Sequence, residues 1–339
     1  MPTRKPSILI LYCGGTIGMR QDTKTSALRP ELTVDDLLRY APALGTEFSV
    51  KTITITNLDS TNIQPHHWQE IAQAIAKRYD DFDGFVVLHG TDTMAYTASA
   101  LSLALGDLGK PVILTGAQVP PDLIGSDATG NLVNACQAAT MDFAEVAIVF
   151  GTMILRGNRS TKISESDRNA FASPVFPVLG AIRLQPELSC ANVRRRHGGS
   201  LVLRHHFAGN IAVIKLVPGL DPAVLMAILE HGGIDGLILE SFGPGNIPNK
   251  EMNLLPAIQQ AKKQSIPILI TSQCIAGTTR MYLYEVGQRA LELGVIPTRD
   301  MTPESAYIKL KWVLGQTRKP REIIKLFDQD IAGEVTVGV

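Results

Sequence analysis

The 339-residue sequence predicts an α/β fold in two domains, a larger N-terminal domain on a doubly wound, mostly parallel sheet and a smaller C-terminal α/β domain. Three observations predict it. Apolar runs of five or six residues recur, each closed by small or polar residues. Helical patterns lie between them, the alternation of a parallel sheet with helices on both faces. The regularity fades once, mid-chain, and then resumes.

The first five runs are Ile8–Cys13, Thr52–Thr56, Phe85–Leu88, Val112–Thr115 and Val146–Phe150, with helical patterns over Pro65–Tyr79, Asp92–Leu105 and Asp127–Met141. Thr33 ahead of Val34-Asp35-Asp36 is a good helix cap, with acid in the first turn. From about Ser173 to Gly209 the pattern breaks at Pro174, Pro177, Pro186, Arg194-Arg195-Arg196-His197 and Gly198-Gly199. Residues 1–185 are therefore expected as the N-terminal domain, 186–209 as a solvated linker in a region with room for a short hairpin, and 210–339 as the C-terminal domain. In the latter, strands are expected at Ile211–Val217, Leu237–Glu240 and Ile266–Thr271, about four in all. Helices are expected at Asp221–Glu230, Lys250–Lys263 and Thr302–Leu314.

Composition narrows the function. The chain is 45% hydrophobic and 19% charged, and no apolar run approaches the roughly 20 residues of a membrane helix. The 32 basic and 32 acidic residues cancel, which argues against nucleic-acid and membrane-surface partners. Cys13, Cys136, Cys190 and Cys274 form no CxxC motif, and the histidines have no metal-ligand spacing. Arg4 and Lys5 precede an apolar run that passes straight into Gly14-Gly15-Thr16 without a small-residue cleavage site. That run reads as the first strand and the protein as cytoplasmic.

The strand ends carry the chemistry. They read Gly14-Gly15-Thr16, Asn57-Leu58-Asp59-Ser60-Thr61, Gly90-Thr91-Asp92, Gly116-Ala117-Gln118, Gly151-Thr152 and Gly243-Pro244-Gly245-Asn246. In open α/β sheets ligands bind at that edge. There is no P-loop, no GxGxxG spacing and no G-x-S-x-G elbow, so neither cofactor nor metal is expected. What remains is hydroxyl chemistry: Thr16 follows two glycines that let the backbone turn sharply, and a threonine nucleophile needs a neighbouring proton relay. Thr91, Asp92 and Lys162 can supply one. Asp92 can instead hold a substrate ammonium, and Ser60 a carboxylate. Taken singly these residues have ordinary readings: a tight turn at Gly14-Gly15-Thr16, a helix cap at Thr91-Asp92, an Asx-type turn at Asp59, a surface lysine at 162, a buried small side chain at Cys274. Ser126-Asp127 reads as a cap for the helix holding Asn131.

In combination, Gly14-Gly15-Thr16-Ile17-Gly18-Met19, His89-Gly90-Thr91-Asp92-Thr93-Met94, Lys110 through Gln118 and Arg156-Gly157-Asn158-Arg159-Ser160-Thr161-Lys162 resemble the bacterial-type L-asparaginases. The resemblance runs from about Ser7 to Lys325 and is nearest the cytoplasmic, type I branch. It implies hydrolysis of asparagine in two steps, with Thr16 as nucleophile and Thr91, Asp92 and Lys162 as a second catalytic group. It implies that Asp59, Ser60, Thr61 and Asp92 grip the substrate's α-groups, that N–H groups near Thr91 and Ala117 steady the oxyanion, and that Asn246 reaches in from a neighbouring protomer of a homodimer or homotetramer. Two positions depart from the family. The mobile loop Gln21–Pro30 has Ala27 or Leu28 where a tyrosine is usual, so that either Tyr284 or Glu285 takes its place or turnover is weak. At the effector site of some type I enzymes Cys274 matches the cysteine, but Glu240 stands in place of an arginine. The loop change keeps a second reading open, a non-catalytic amino-acid-binding module. One component of an archaeal tRNA-dependent amidotransferase uses the same threonine pair, but carries an added N-terminal domain for which a first strand at Ser7 leaves no room.

Overall fold

The computed structural model describes residues 4–22, 24, 25 and 27–336, and the chain divides into two compact units between His205 and His206. The first unit is built on an eight-stranded sheet. Its parallel part consists of β1 (Ser7–Gly14), β2 (Ser49–Leu58), β3 (Gly84–Leu88), β4 (Val112–Thr115) and β5 (Val146–Phe150), in the order β5-β4-β3-β1-β2. β1, β3, β4 and β5 are buried at every position, which is why they read as unbroken apolar runs. The register sets Ile8 beside both Val50 and Gly84, and Val86 beside Ile113. All five strands therefore deliver their C-terminal ends to one edge.

Three further strands extend the sheet beyond β5: β6 (Met153–Arg156), β7 (Gly180–Ile182) and β8 (Pro186–Leu188), each antiparallel to the strand before it. The stretch expected as a linker is thus largely part of the first unit. Pro186–Leu188 lies in the main sheet, and Val202–Leu203 pairs with Leu105–Gly106. The arginine run is solvated at Arg194, Arg195 and His197 but is not a free tether. Arg196 donates to the carbonyls of Met141, Asp83 and Ala139 at 2.6, 2.8 and 2.9 Å, tying down the chain that leaves the third helix. A guanidinium with five fixed donors suits that task.

The longer helices of this unit are α1 (Pro65–Ala76), α2 (Met94–Ala104) and α3 (Ala128–Ala138), joined by shorter ones at Leu44–Glu47 and at Val34–Tyr40, the latter opening with a capping box between Thr33 and Asp36. α2 is buried on nearly every side. Its small residues make that possible: a Cβ on Gly157 would already lie 3.0 Å from that of Ala98, and Ser99 and Ser102 return their hydroxyls to the carbonyls four residues back.

The second unit has a parallel sheet of four strands, β9 (Ile211–Lys215), β10 (Gly236–Ser241), β11 (Ile268–Ser272) and β12 (Ile296–Pro297), in chain order. Helices Pro222–His231, Leu255–Lys263, Glu285–Glu292, Pro303–Gln316 and Pro320–Asp328 accompany it. The expected helix at Lys250 starts five residues later because Pro256 takes a first-turn position, where its missing N–H costs nothing. An ion pair is fully enclosed in this unit: Lys309 and Glu334 pair at 2.6 Å, and Lys309 also donates to the Phe327 carbonyl. Among the described residues no helix is long and apolar enough to cross a membrane.

Candidate active site

The C-terminal ends of β1, β2 and β3 are pressed together by glycine. Gly14 and Gly15 have φ of +97° and +87°, a region that L side chains rarely adopt. A Cβ on Gly14 would sit 2.4 Å from the Leu58 carbonyl oxygen, and one on Gly15 only 2.3 Å from the Gly90 Cα. Gly90 has the same constraint on its other side, where a Cβ would lie 2.7 Å from the Ser60 hydroxyl. Backbone against backbone, the three strand ends bring Thr16, Asp59-Ser60 and Thr91-Asp92 around one cavity of about 160 Å³. Gln118, Lys162 and Glu165 complete its wall.

Lys162 arrives on the short strand Thr161–Lys162, which pairs with Phe171–Ala172. The segment before it is anchored in the core: Arg156 donates to Glu145 at 2.8 Å and to the Asn192 carbonyl at 3.0 Å, and Ser160 donates to the Arg156 carbonyl. The Lys162 ammonium then donates to the Thr91 hydroxyl at 2.8 Å and to Asp92 at 2.6 Å. The lysine is mostly buried and its carboxylate partner mostly exposed, 17% against 55%. Thr91 in turn donates to the Gln118 side-chain oxygen at 3.1 Å. The orientation of that amide is fixed by its own NH₂ group, which donates to the carbonyls of Glu165 and Asp167. Lys162, Thr91 and Gln118 thus form a directed chain of hydrogen bonds.

Supporting contacts explain why these groups are held. Asp127 accepts from the N–H groups of Gln118 and Val119 at 3.0 Å, and Asn131 bridges Asp127 to the Gly116 carbonyl. Asp127 therefore shapes the turn after β4 from the position ahead of the helix Ala128–Ala138, with Asn131 joining it from inside that helix, while the Ser126 hydroxyl accepts from the Ala128 N–H. Asp59 accepts from the Thr61 N–H at 2.9 Å and from its hydroxyl at 2.8 Å, an Asx turn that presents the buried Ser60. Thr93 donates to the Ser60 carbonyl at 2.7 Å. His89 is fully buried behind the site, and burial pushes its imidazole down to about 4. The neutral ring fits as the Nδ1–H tautomer, donating to the Gly90 carbonyl at 2.7 Å and accepting from Thr97 at 2.9 Å.

Of the site residues expected from sequence, Thr16, Asp59, Ser60, Thr91, Asp92 and Lys162 line the one cavity. Thr61 is exposed and faces Asp59, and Ala117 is fully buried beside the cavity-lining Gln118. Asn246, Glu240 and Cys274 belong to the second unit. There the Asn246 side-chain oxygen is buried without a hydrogen-bond partner, while Cys274 is exposed. Ala27 and Leu28 lie in and beside a hairpin formed by Met19–Gln21 and Leu28–Pro30; Thr23 and Ser26 of the same loop lie outside the described residues. Sequence reasoning did not assign the side chains of Gln118 and Glu165. Gln118 stands in a quoted strand end and was within reach; Glu165 follows Lys162 in a loop with no periodicity to orient it.

Comparison with known proteins gives the family of both units. Residues 7–193 match the family model described as "Asparaginase, N-terminal", and residues 210–327 the "Glutaminase/Asparaginase C-terminal domain". An L-asparaginase of Thermococcus kodakarensis is 38% identical over 97% of this chain and 99% of its own length. A glutamyl-tRNA(Gln) amidotransferase component of Pyrococcus horikoshii is 37% identical over 98% of this chain and 77% of its own. The crystal structure of L-asparaginase I from Vibrio cholerae superimposes with a TM-score of 0.87 at 35% identity, covering 98% of this chain and 100% of that one. By its strand ends, its cavity and both halves of its sequence, the chain belongs to the asparaginase family.

Proposed function

We infer that the protein hydrolyses L-asparagine to L-aspartate and ammonia through an ester on Thr16. The observation that carries this reading is the Lys162–Thr91 hydrogen bond inside the cavity that Thr16 lines. The Thr16 oxygen attacks the side-chain amide carbon and its proton passes to the departing nitrogen, which leaves as ammonia. Water then attacks the ester, its proton returns to the Thr16 oxygen, and aspartate is released. Thr91 and Lys162 move these protons, a role worth roughly 10²–10⁴ in rate. The N–H groups of Thr91 and Ala117 steady the oxyanion. Ser60 and Thr61 take the α-carboxylate in the turn that Asp59 shapes, and Asp92 meets the α-ammonium.

Homo-oligomerisation is part of this reading. Ile275, Tyr282, Leu283 and Tyr284 are 65%, 64%, 53% and 53% exposed within ten residues of chain, bare apolar side chains that support such a reading. In this reading Asn246 reaches toward a neighbouring protomer's site, and Tyr284 or Glu285 takes the place of the missing loop tyrosine. Glu240 in place of an arginine makes an effector site at Cys274 altered or lost, so the rate should rise hyperbolically with asparagine; a sigmoidal curve abolished by changing Cys274 would refute this.

The amidotransferase components among the relatives favour one other reading, hydrolysis of glutamine. Asparagine and glutamine differ by one methylene, worth roughly 1–3 kcal/mol in a fitted pocket. Ammonia release from both amides by the wild type and Thr16→Ala decides. Release from asparagine that vanishes in the variant supports the proposal. A preference for glutamine supports the second reading. Binding without release by either protein means an amino-acid-binding module.

A further inference from the structure

The cavity holds more negative charge than its catalytic groups account for. Three acidic residues are among those that line it, Asp59, Asp92 and the solvent-exposed Glu165, against one basic residue, Lys162. Two of the three are committed within the protein. Asp92 is held by Lys162 at 2.6 Å, so its charge is largely offset, and an oxygen of Asp59 is taken up by Thr61. Glu165 makes no ion pair among the described residues. Its position is nonetheless fixed. Its carbonyl accepts from the Gln118 amide at 2.9 Å, Ser164 accepts from the N–H groups of Ser166 and Asp167, and Arg168 donates to the Gly125 carbonyl at 2.7 Å. A loop held at these points thus sets an acidic residue without an ion pair beside a small polar cavity.

We propose that Glu165 is a specificity-determining residue whose carboxylate pairs with the substrate's α-ammonium, so that the site selects amides bearing a free amino group. The proposal rests on the hydrolase reading and refines it. Asp92, engaged by Lys162, shares the ammonium, and Glu165 supplies the charge that Asp92 has already given up. Amides whose amino group is absent or acylated meet an unmatched negative wall and are disfavoured.

The test pairs a change in the enzyme with a change in the substrate. Ammonia release is followed from L-asparagine and from succinamate, which lacks the amino group, with wild type, Glu165→Gln and Glu165→Asp. Glu165→Gln should raise KM for asparagine about threefold to fivefold, the upper end expected of one solvent-exposed ion pair, with kcat within about twofold. Its KM for succinamate should stay level or fall, and Glu165→Asp should recover part of the loss on asparagine. A parallel rise of KM for both compounds would make Glu165 a loop-positioning residue and overturn the proposal. So would an equal fall of kcat for both, which would mark a base acting on Thr16, or no change at all. Should the wild type release ammonia from neither amide, the hydrolase reading fails by itself. Calorimetric binding of the two compounds to wild type and Glu165→Gln then still decides whether Glu165 meets the ammonium.

Discussion

Acidification should destabilise the first unit through one imidazole, His89. The ring is fully buried, donates to the Gly90 carbonyl and accepts from Thr97, and burial pushes it down from 6.5 to about 4. Above pH 6.5 neither the folded nor the unfolded chain carries a proton there, so the residue adds no pH dependence. Between 6.5 and 4 the unfolded chain takes up the proton and the folded chain does not, so stability falls as the pH falls. At about 1.4 kcal/mol per pH unit the loss is complete near pH 4 and amounts to about 3 kcal/mol. Carboxylates held low in the folded protein, such as Asp83, lose their contribution at more acid pH and leave this window largely to histidine. His67 is pushed in the same direction, chiefly by partial burial and by its neighbour His66. The assay is the free energy of unfolding in urea from pH 7.5 to 4.5, for wild type and His89→Gln. His67 is present in both proteins and cancels, so the difference in slope isolates His89. The wild type should lose more stability across the window than the variant. Parallel curves would refute the reasoning, because the proton would then find the folded ring as easily as the unfolded one.

Two further outcomes follow from groups already described. Lys162→Met should lower kcat about 10³-fold, the scale of a lost proton relay, while shifting the melting temperature little, because a pair with a half-exposed carboxylate contributes little to stability; a kcat within tenfold of wild type would remove Lys162 from the relay. Lys309→Met should destabilise the second unit by about 4 kcal/mol in urea titration, since it strands the fully buried Glu334 charge, and adding Glu334→Gln should recover more than half of that; no recovery would mean that lost packing outweighs the stranded charge.

What the sequence made legible follows burial. β1, β3, β4 and β5 are buried at every position, so all but their end residues, Ser7 and Thr115 among them, are apolar and each strand stands out against the polar turn that ends it. Met153–Arg156, Gly180–Ile182 and Pro186–Leu188 do not stand out. They are three or four residues long, two of the three contain Gly or Pro, and they owe their strand geometry to an antiparallel neighbour. Arg196 reads as part of a solvated charge run because its partner at the Asp83 carbonyl lies 113 residues away. The same division runs through the site. Thr16, Asp59-Ser60 and Thr91-Asp92 are placed by strand ends, and strand ends are visible as polar or glycine-rich turns after an apolar run. The aim of Gln118 and the charge balance at Glu165 depend on a loop whose shape is set by side-chain-to-carbonyl bonds, and no periodicity records those.

The smallness of α2 has a consequence for how this protein fails. Thr91 and Asp92 stand immediately ahead of a helix that is buried on nearly every side and packed almost atom to atom against Gly157. A helix with a solvent face can rock or fray and let a site drift while the core survives. This one has no such play, so the two residues are displaced only when the interior of the unit opens. Heat should therefore extinguish turnover and melt the first unit in a single event, without a folded but inactive species between them. The same tightness leaves few ways to retune the site from beneath, and diversification would have to come from the loops that close over it.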